Sequence, residues 1–218
     1  MYFILLILLA IHSYIIGSIN FSIIVTRMYR NKEDIRNMGS GNAGFTNTLR
    51  SAGLAPGIMT FLGDFSKGLI VIWLADHVLR STGLGNDYIM YGVCISEVIC
   101  VIGHVYPCFF NFKGGKGVLT AGAMILMVDY RIFLISISIF LIILIITKIM
   151  SLSSIIGFII YPSSTIILSI LEGDITHGGY LAKVLTSIII SMIIIYNHKK
   201  NIIRLLNGTE KKLSIAKK

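Results

Sequence analysis

Charged residues are scarce in this sequence. Asp, Glu, Lys and Arg make up 13% of its 218 residues, whereas a soluble domain averages about 25%. Hydrophobic residues make up 55% and form long runs, among them LLILLAIHSYIIG, IFLISISIFLIILIIT and VLTSIIISMIIIY. Each run is about long enough to cross the hydrocarbon of a bilayer, for which roughly 17–25 residues suffice. The composition therefore excludes a soluble globular domain and indicates an integral membrane protein.

Cysteine is also scarce. The three cysteines, Cys94, Cys100 and Cys108, lie in one hydrophobic segment. Their wide spacing suits neither a zinc site nor a disulfide framework, so we expect apolar packing for them. No metal site is apparent, and we expect no cofactor.

The chain lacks a long polar domain, a low-complexity linker and an evident internal repeat. Its N-terminus has no basic n-region or convincing cleavage site, so we expect a retained first helix. We predict a single all-α polytopic membrane domain over residues 1–218, with about seven transmembrane helices. The fourth helix is only about 21 Å long by helical rise, so it must tilt, begin within the preceding glycine loop, or lie behind other protein. The predicted spans are 2–25, 54–76, 88–110, 117–130, 131–148, 154–171 and 182–198.

The distribution of basic residues predicts the orientation. With seven spans, fifteen Lys and Arg residues fall on one side of the membrane and three on the other, while Lys67 lies within a span. This bias places the N-terminus outside and the C-terminus in the cytoplasm. The net charge of +9 follows from the same asymmetry, so it does not indicate a nucleic-acid partner. The predicted cytoplasmic loops are 27–53, 111–120, 147–154 and 197–212.

Two glycine motifs on the cytoplasmic side suggest nucleotide binding, but neither has the required context. MGSGNAGFTNTLR at 38–50 contains G-x-G-x-x-G, yet the polar NKEDIRNM precedes it where a dinucleotide-binding loop follows an apolar strand. In FKGGKGVLT, Gly117 follows Lys116 where a Walker A loop has Ser or Thr. Glycine-rich backbone with Lys or Arg nearby still predicts an anion site, and we expect the anion to be phosphate.

Five motifs occur in order along the chain: GSGNAGFTNTLR, DFSKG, GHVYP followed by FKGGKGVLTA, SLSS, and HKKNIIRLLNGTE. Together they cover nearly the whole chain, which resembles the bacterial acyl-phosphate:glycerol-3-phosphate acyltransferases. The resemblance implies a seven-helix protein of the bacterial cytoplasmic (inner) membrane, with its active site at the cytoplasmic face. It also implies acyl transfer from acyl-phosphate to the 1-hydroxyl of sn-glycerol 3-phosphate. The products would be lysophosphatidic acid and phosphate, in the first step of bacterial phospholipid synthesis.

The sequence lacks the catalytic patterns of other acyltransferases. None of the five histidines has an Asp five positions later, and no G-x-S-x-G nucleophile elbow occurs. An acyl-phosphate is a mixed anhydride with a good leaving group, so positioning two phosphates and screening their repulsion could supply much of the acceleration. By analogy with the family, we hypothesise that a substrate phosphate accepts the hydroxyl proton.

The glycine loops and the tail supply the candidate site residues. Ser40 or Thr46 could instead cap a helix, and the lysines of the second loop could be positive-inside anchors. With the resemblance, we expect catalytic roles for Ser40, Arg50, His198 and Asn201. We expect phosphate contacts from Gly39, Gly41, Asn42, Thr46, Asn47, Lys113, Gly114, Gly115, Lys116, Gly117 and Arg204.

Further residues are expected to support the site. Asp64 and Lys67 are spaced i, i+3, so they can form a buried structural pair or belong to the site. His104 is either a buried, hydrogen-bonded side chain or part of a polar cleft. Glu97 needs a partner that the sequence does not name. The predicted supporting residues are Asp64, Lys67, His104, Ser151, Ser154 and Glu210, the last orienting Arg or Lys side chains.

Two positions depart from the family pattern. Asn20 stands where proline is usual, which puts a kink near the end of the first helix in doubt. Lys148 stands where arginine is common, which weakens any bidentate role there.

A transporter of a phosphorylated small anion is the alternative function. Transporters bind near the midplane between repeats with broken helices, whereas here the polar residues crowd one surface. A non-catalytic scaffold explains neither glycine loop. An enzyme with a surface site suits a donor that enters from the bilayer and an acceptor that arrives from the cytoplasm. The sequence does not specify an oligomeric state.

Overall fold

A computed structural model describes residues 2–173 and 178–213, and every regular element within these ranges is a helix. The α-helices are α1 (Tyr2–Ser18), α2 (Phe21–Tyr29), α3 (Phe45–Ser51), α4 (Leu54–Arg80), α5 (Asn86–Val105), α6 (Val118–Val128), α7 (Tyr130–Thr147), α8 (Met150–Leu171), α9 (Gly178–Asn197) and α10 (Lys199–Leu206). Two 3₁₀ turns, Ile35–Asn37 and Cys108–Phe110, lie in the glycine-rich connections.

Six helical stretches within the described ranges are long and apolar enough to cross a membrane: α1 together with α2, then α4, α5, α7, α8 and α9. The prediction of an all-α integral membrane protein is confirmed. The remaining apolar helix, α6, has 11 residues, or about 16 Å by helical rise against a hydrocarbon thickness of about 30 Å. It lies behind other helices, one of the arrangements that its short sequence allowed: it packs on α4, where a Cβ on Gly68 would lie 2.5 Å from the carbonyl oxygen of Thr120.

The first membrane stretch is interrupted between α1 and α2, although no proline is present. Asn20 caps α2: its Oδ1 accepts a hydrogen bond from the backbone N–H of Ile23 at 3.1 Å. Its Nδ2 donates to the carbonyl oxygen of Ala43 in the first glycine loop at 3.3 Å. The chain is therefore broken at this position without a proline, because the asparagine side chain starts α2 and joins the break to the first glycine loop.

The apolar core lies between α1, α4, α5, α6, α8 and α9, where Leu79, Val101, Met124 and Ile190 are buried. Helix α7 packs at the edge of this core against α8 and α6. Ile132 is its one buried residue, in a helix that the structure describes completely. Helix α7 is consequently an outer wall of the bundle.

The cysteines differ in their surroundings. Cys94 and Cys100 are buried on α5, as expected from apolar packing, and neither is in a disulfide. Cys108 is exposed in the second 3₁₀ turn, so the expectation of apolar packing is wrong for this residue. The reason is that α5 ends at Val105, before the apolar segment in the sequence does.

Candidate active site

A cavity of about 820 Å³ opens at one end of the bundle. Each of the four predicted cytoplasmic loops contributes to its wall, for example through Ser40, Lys116, Ser151 and Arg204. The segments that the sequence places on one membrane side therefore lie at the same end of the helices.

The first glycine loop is held in shape by Asn47 of α3. Its Oδ1 accepts a hydrogen bond from the backbone N–H of Ser40 at 2.9 Å, and its Nδ2 donates to the carbonyl oxygens of Ile35 and Met38 at 3.2 and 2.9 Å. Gly39 turns with a φ of +57°, and a Cβ there would lie 2.3 Å from Asn47 Oδ1. Asn47 lines the cavity, but its amide is committed to the loop, so it positions Ser40.

Arg50, at the end of α3, lines the cavity beside Ser40, Asn42 and Thr46. One of its Nη atoms donates to the carbonyl oxygen of Lys212 at 3.2 Å. Its Nε is buried, and it has no hydrogen-bond partner among the described residues. Because an unpaired buried donor of a charged group is costly, this guanidinium is suited to an anionic ligand.

Some predicted phosphate contacts lie outside the cavity lining. The backbone N–H groups of Gly114 and Gly115 donate to carbonyl oxygens at the end of α5, at 3.0 and 3.2 Å. The N–H of Gly41 donates within its own turn at 2.9 Å, and Lys113 is exposed away from the cavity. Since these glycine N–H groups are already paired, we leave Gly41, Lys113, Gly114 and Gly115 out of the site. Lys116 and Gly117, by contrast, line it.

The tail carries an ordered polar network built on Glu210. Its Oε2 accepts a hydrogen bond from Arg204 Nε at 2.6 Å. Its Oε1 accepts from Asn201 Nδ2 at 2.6 Å and from Ser151 Oγ at 2.8 Å. Asn201 Oδ1 in turn accepts from Lys116 Nζ. One carboxylate thus orients a guanidinium directly and an ammonium through Asn201.

The electrostatics of this network depend on its burial. Burial lowers the pKa of Lys116 to about 8, and the nearby Glu210 limits the decrease. Burial, together with the charge of Lys116, lowers the pKa of His198 to about 4. Partial burial raises the pKa of Glu210, but the hydrogen bonds from Arg204, Ser151 and Asn201 lower it by more, so the pKa is lowered overall. The cavity therefore holds a neutral histidine among cations at neutral pH.

The tautomer of His198 follows from its contacts. His198 Nδ1 lies 2.8 Å from the carbonyl oxygen of Ile194, which can only accept a hydrogen bond. The neutral ring therefore carries its proton on Nδ1 and has a lone pair on Nε2. Because His198 lines the cavity, that lone pair can accept a hydrogen bond from a substrate hydroxyl.

Asp64, Lys67 and His104 form a buried cluster at the wall of the cavity. Lys67 Nζ donates to the carbonyl oxygens of Gly17 and Ile19 at 3.0 and 2.7 Å and to His104 Nδ1 at 2.9 Å. Asp64 Oδ1 lies 3.0 Å from the same ammonium, but its angle does not make a hydrogen bond. Asp64 and His104 line the cavity and Lys67 lies behind them, so the lysine supports the wall.

A connection between the two glycine loops was not predicted from the sequence. Arg36 donates to the carbonyl oxygens of Phe110 and Lys113 at 2.7 and 3.3 Å. Its Nε donates to Asp34 Oδ1 at 2.9 Å, and the Arg36 guanidinium holds the pKa of Asp34 well below its usual range. The only available signal was the charge of Arg36, which the positive-inside rule already explained.

The remaining predicted or questioned residues fall in different places. Ser154 lines the cavity, with its hydroxyl donating to the carbonyl oxygen of Met150 at 2.9 Å. Lys148 is absent from the lining. Its carbonyl oxygen accepts a hydrogen bond from the N–H of Leu213 at 2.6 Å and so holds the tail in place.

Glu97 is buried on α5 beside a separate cavity of about 10 Å³ that Lys183 also lines. It therefore lies outside the candidate site.

The cavity also has an apolar part that the sequence did not reveal. We call it the apolar arm: the lining between α4, α6, α7 and α8 that includes Phe61, Leu119, Ile125, Phe133, Phe140 and Phe158. The sequence could not reveal this part, because apolar residues that line a cavity in a membrane protein have the same composition as those that face lipid. Two further lysines, Lys200 and Lys211, lie at the polar end.

Comparison with known proteins assigns the family. The sequence model described as "Glycerol-3-phosphate acyltransferase" matches residues 7–208. The chain is 37% identical over 212 residues to a glycerol-3-phosphate acyltransferase of Clostridioides difficile (strain 630), covering 97% of both chains. It is 38% identical over 213 residues to the enzyme of the same name from Finegoldia magna, covering 98% of both.

Solved structures agree with this assignment. The fold is similar to that of PlsY, an integral membrane glycerol 3-phosphate acyltransferase, in its glycerol 3-phosphate form, with a TM-score of 0.82, 33% identity and 96% of both chains covered. It is also similar to the lysophosphatidic acid form, with a TM-score of 0.77, 33% identity and coverage of 95% of this chain and 94% of that one. The resemblance seen in the motifs is confirmed: the chain belongs to the glycerol-3-phosphate acyltransferase family.

Proposed function

We propose that this protein transfers a fatty acyl group from acyl-phosphate to the 1-hydroxyl of sn-glycerol 3-phosphate. The products are lysophosphatidic acid and inorganic phosphate. One observation carries the proposal beyond family membership: Arg50, Lys116 and Arg204 line the polar end of a cavity whose other end is an apolar arm. Two phosphates require cations, and a fatty chain requires an apolar channel.

The polar end positions the reactants. Arg50 and Lys116 bind phosphate oxygens with charge-assisted hydrogen bonds, while Ser40 and Asn42 add neutral donors. Arg204, held by Glu210, screens the repulsion between the two phosphates. Holding both substrates in one orientation removes much of the entropic barrier to their reaction.

His198 orients the attacking hydroxyl. Its Nε2 lone pair accepts a hydrogen bond from the 1-hydroxyl, which then attacks the acyl carbonyl carbon. The new ester bond forms as the bond from that carbon to the phosphate oxygen breaks, and inorganic phosphate leaves. As the oxygen attacks, the hydrogen bond to His198 breaks and the hydroxyl proton passes to a substrate phosphate oxygen, because His198, with a pKa of about 4, is too weak a base to take it.

The site suits a membrane enzyme with one water-soluble substrate. The four loops lie on the cytoplasmic face of a bacterial inner membrane in this proposal, as the positive-inside rule predicts. Acyl-phosphate enters from the bilayer through the apolar arm, and glycerol 3-phosphate enters from the cytoplasm. No cofactor takes part in the proposed reaction.

An acyl-transfer assay on protein purified in detergent tests the proposal. It supplies palmitoyl-phosphate and labelled glycerol 3-phosphate, with palmitoyl-CoA as a parallel donor. Arg50→Ala is the test variant, and Arg80→Ala is the matched control because Arg80 is exposed and paired with Asp76 at the opposite end of α4.

The proposal predicts lysophosphatidic acid from palmitoyl-phosphate alone, lost in Arg50→Ala and retained in Arg80→Ala. Product from palmitoyl-CoA alone would contradict the proposed donor. No product from either donor, with folded protein, would contradict the reaction and favour transport of a phosphorylated anion.

A further inference from the structure

The lining of the apolar arm includes a glycine that helix packing does not explain. Gly122 lies on α6, in the cavity wall. A Cβ built on Gly122 meets no atom within 4 Å. The contrast is Gly68 on the facing helix α4, where a Cβ would lie 2.5 Å from the carbonyl oxygen of Thr120. Gly68 allows two helices to approach, whereas Gly122 leaves open space.

The position of Gly122 along the arm can be measured by helical rise. It lies five residues after Gly117, which caps the start of α6, or about 7 Å from the polar end of the cavity. Ile125 lies three residues further along α6, or about 4.5 Å beyond Gly122, and Phe133 lies four residues after Asp129, where α6 meets α7. Both residues line the cavity, so the arm continues beyond Gly122 by about one helical turn.

We propose that the open space at Gly122 lets the enzyme accept long acyl chains, so that the side chain at residue 122 determines how far a chain can extend along the arm. This inference rests on the proposed function and adds a specificity-determining residue to it. The proximal part of the chain occupies the arm between the polar end and Gly122. The distal methylenes pass Gly122 and pack against Ile125 and Phe133.

The lack of a side chain at residue 122 is what makes the distal part accessible. Because the donor enters from the bilayer, its distal methylenes gain packing contacts in the arm, and only a long chain that can pass residue 122 makes them. A branched side chain at residue 122 would project into the open space and exclude the distal methylenes. A short donor, which ends before Gly122, would lose nothing comparable.

The test measures chain-length preference in Gly122→Leu and Gly122→Ala. The readout is the ratio of kcat/KM for palmitoyl-phosphate to that for butyryl-phosphate, at saturating glycerol 3-phosphate. Gly85→Leu is the matched control, because a Cβ on Gly85 also meets no atom within 4 Å but Gly85 lies outside the cavity lining. We expect the ratio to fall roughly tenfold or more in Gly122→Leu, by less in Gly122→Ala, and to stay at the wild-type value in Gly85→Leu.

An unchanged ratio in Gly122→Leu would overturn the inference. If that variant fails to fold, Gly122→Ala decides, and an unchanged ratio there has the same meaning. A second measurement separates this inference from the proposed reaction: thermal stabilisation by the unreactive hexadecyl phosphate and butyl phosphate. If the wild type makes no product from any donor, the proposed function fails, and the arm is then tested by whether Gly122→Leu selectively loses stabilisation by hexadecyl phosphate.

Discussion

Lys67 Nζ lies 3.0 Å from Asp64 Oδ1, with both side chains almost completely buried. The ammonium also donates to the carbonyl oxygens of Gly17 and Ile19, where α1 ends, and to His104 on α5. The ion pair therefore joins the break in the first membrane stretch to the wall of the cavity. Its position explains why two charges persist inside an apolar bundle.

Removing one member of this pair should destabilise the protein strongly. Lys67→Met leaves the Asp64 carboxylate buried without its counter-charge, which costs about 3–5 kcal/mol for a broken buried pair. Thermal unfolding in detergent measures the change. The double variant Asp64→Asn/Lys67→Met should recover part of the loss, and the exposed Lys113→Met should lose little. Equal stability of Lys67→Met and Lys113→Met would contradict this account.

Glu210→Gln tests the orientation of the tail network. The amide keeps the shape of the side chain but loses the charge that holds Arg204, and a hydrogen bond to a charged group is worth about 1.5–3 kcal/mol. We expect kcat/KM for glycerol 3-phosphate to fall roughly 10- to 100-fold. Glu172→Gln, at the opposite end of the bundle, is the control. Full activity in Glu210→Gln would show that Arg204 needs no carboxylate to be positioned.

The pKa of Lys116 predicts an alkaline limit to activity. Lys116 binds phosphate as the ammonium, which the free enzyme loses as the pH rises through about 8. We expect kcat/KM for glycerol 3-phosphate to fall above that pH. Because arginine stays charged there, Lys116→Arg should move the decline to higher pH. A decline at the same pH in both proteins would assign it to another group.

His198 should not contribute a titration between pH 5 and 8, because its pKa is about 4. Any rise in kcat/KM across that range then reports on substrate phosphate, whose second pKa is about 6. His198→Gln keeps an acceptor but changes its position. We expect kcat to be lower in this variant, with the same rise in kcat/KM between pH 5 and 8. Loss of that rise in the variant would instead make His198 the proton acceptor.

Asn47→Ala should release the first glycine loop. The change leaves the N–H of Ser40 and the carbonyl oxygens of Ile35 and Met38 without their partner, and the buried carbonyl oxygen of Ile35 alone costs about 1–3 kcal/mol when unsatisfied. We expect both a lower unfolding temperature and a loss of kcat/KM of at least about tenfold. The exposed Asn37→Ala is the control, and a variant that lost activity without stability would indicate direct contact of Asn47 with substrate.

The membrane helices were predictable because they depend on local sequence. Each apolar run satisfies its own backbone hydrogen bonds within one segment, so its presence needs no tertiary information. The break at Asn20 was less predictable. Its cap to Ile23 is local, but the second hydrogen bond goes to Ala43, 23 residues further on.

The roles of the glycine loops were also only partly predictable from local sequence. From sequence, the N–H groups of Gly114 and Gly115 are as available to an anion as any others. Only the fold shows that carbonyl oxygens at the end of α5 already accept from them. The apolar arm gave no signal at all, because Phe133 and Phe158 have the same chemistry whether they face a substrate chain or lipid.

The sequence by itself determined that the protein spans a membrane, that its polar glycine loops gather at one end, and which family it resembles. These properties follow from hydrophobic runs, charge counts and short motifs, which are all local. The tertiary structure alone decided which polar groups remain open to a ligand. Arg50 Nε has no partner among the described residues, whereas the Asn47 amide is fully used. The physical reason is that hydrogen-bond partners come from distant segments of the chain, so their availability depends on how the helices pack.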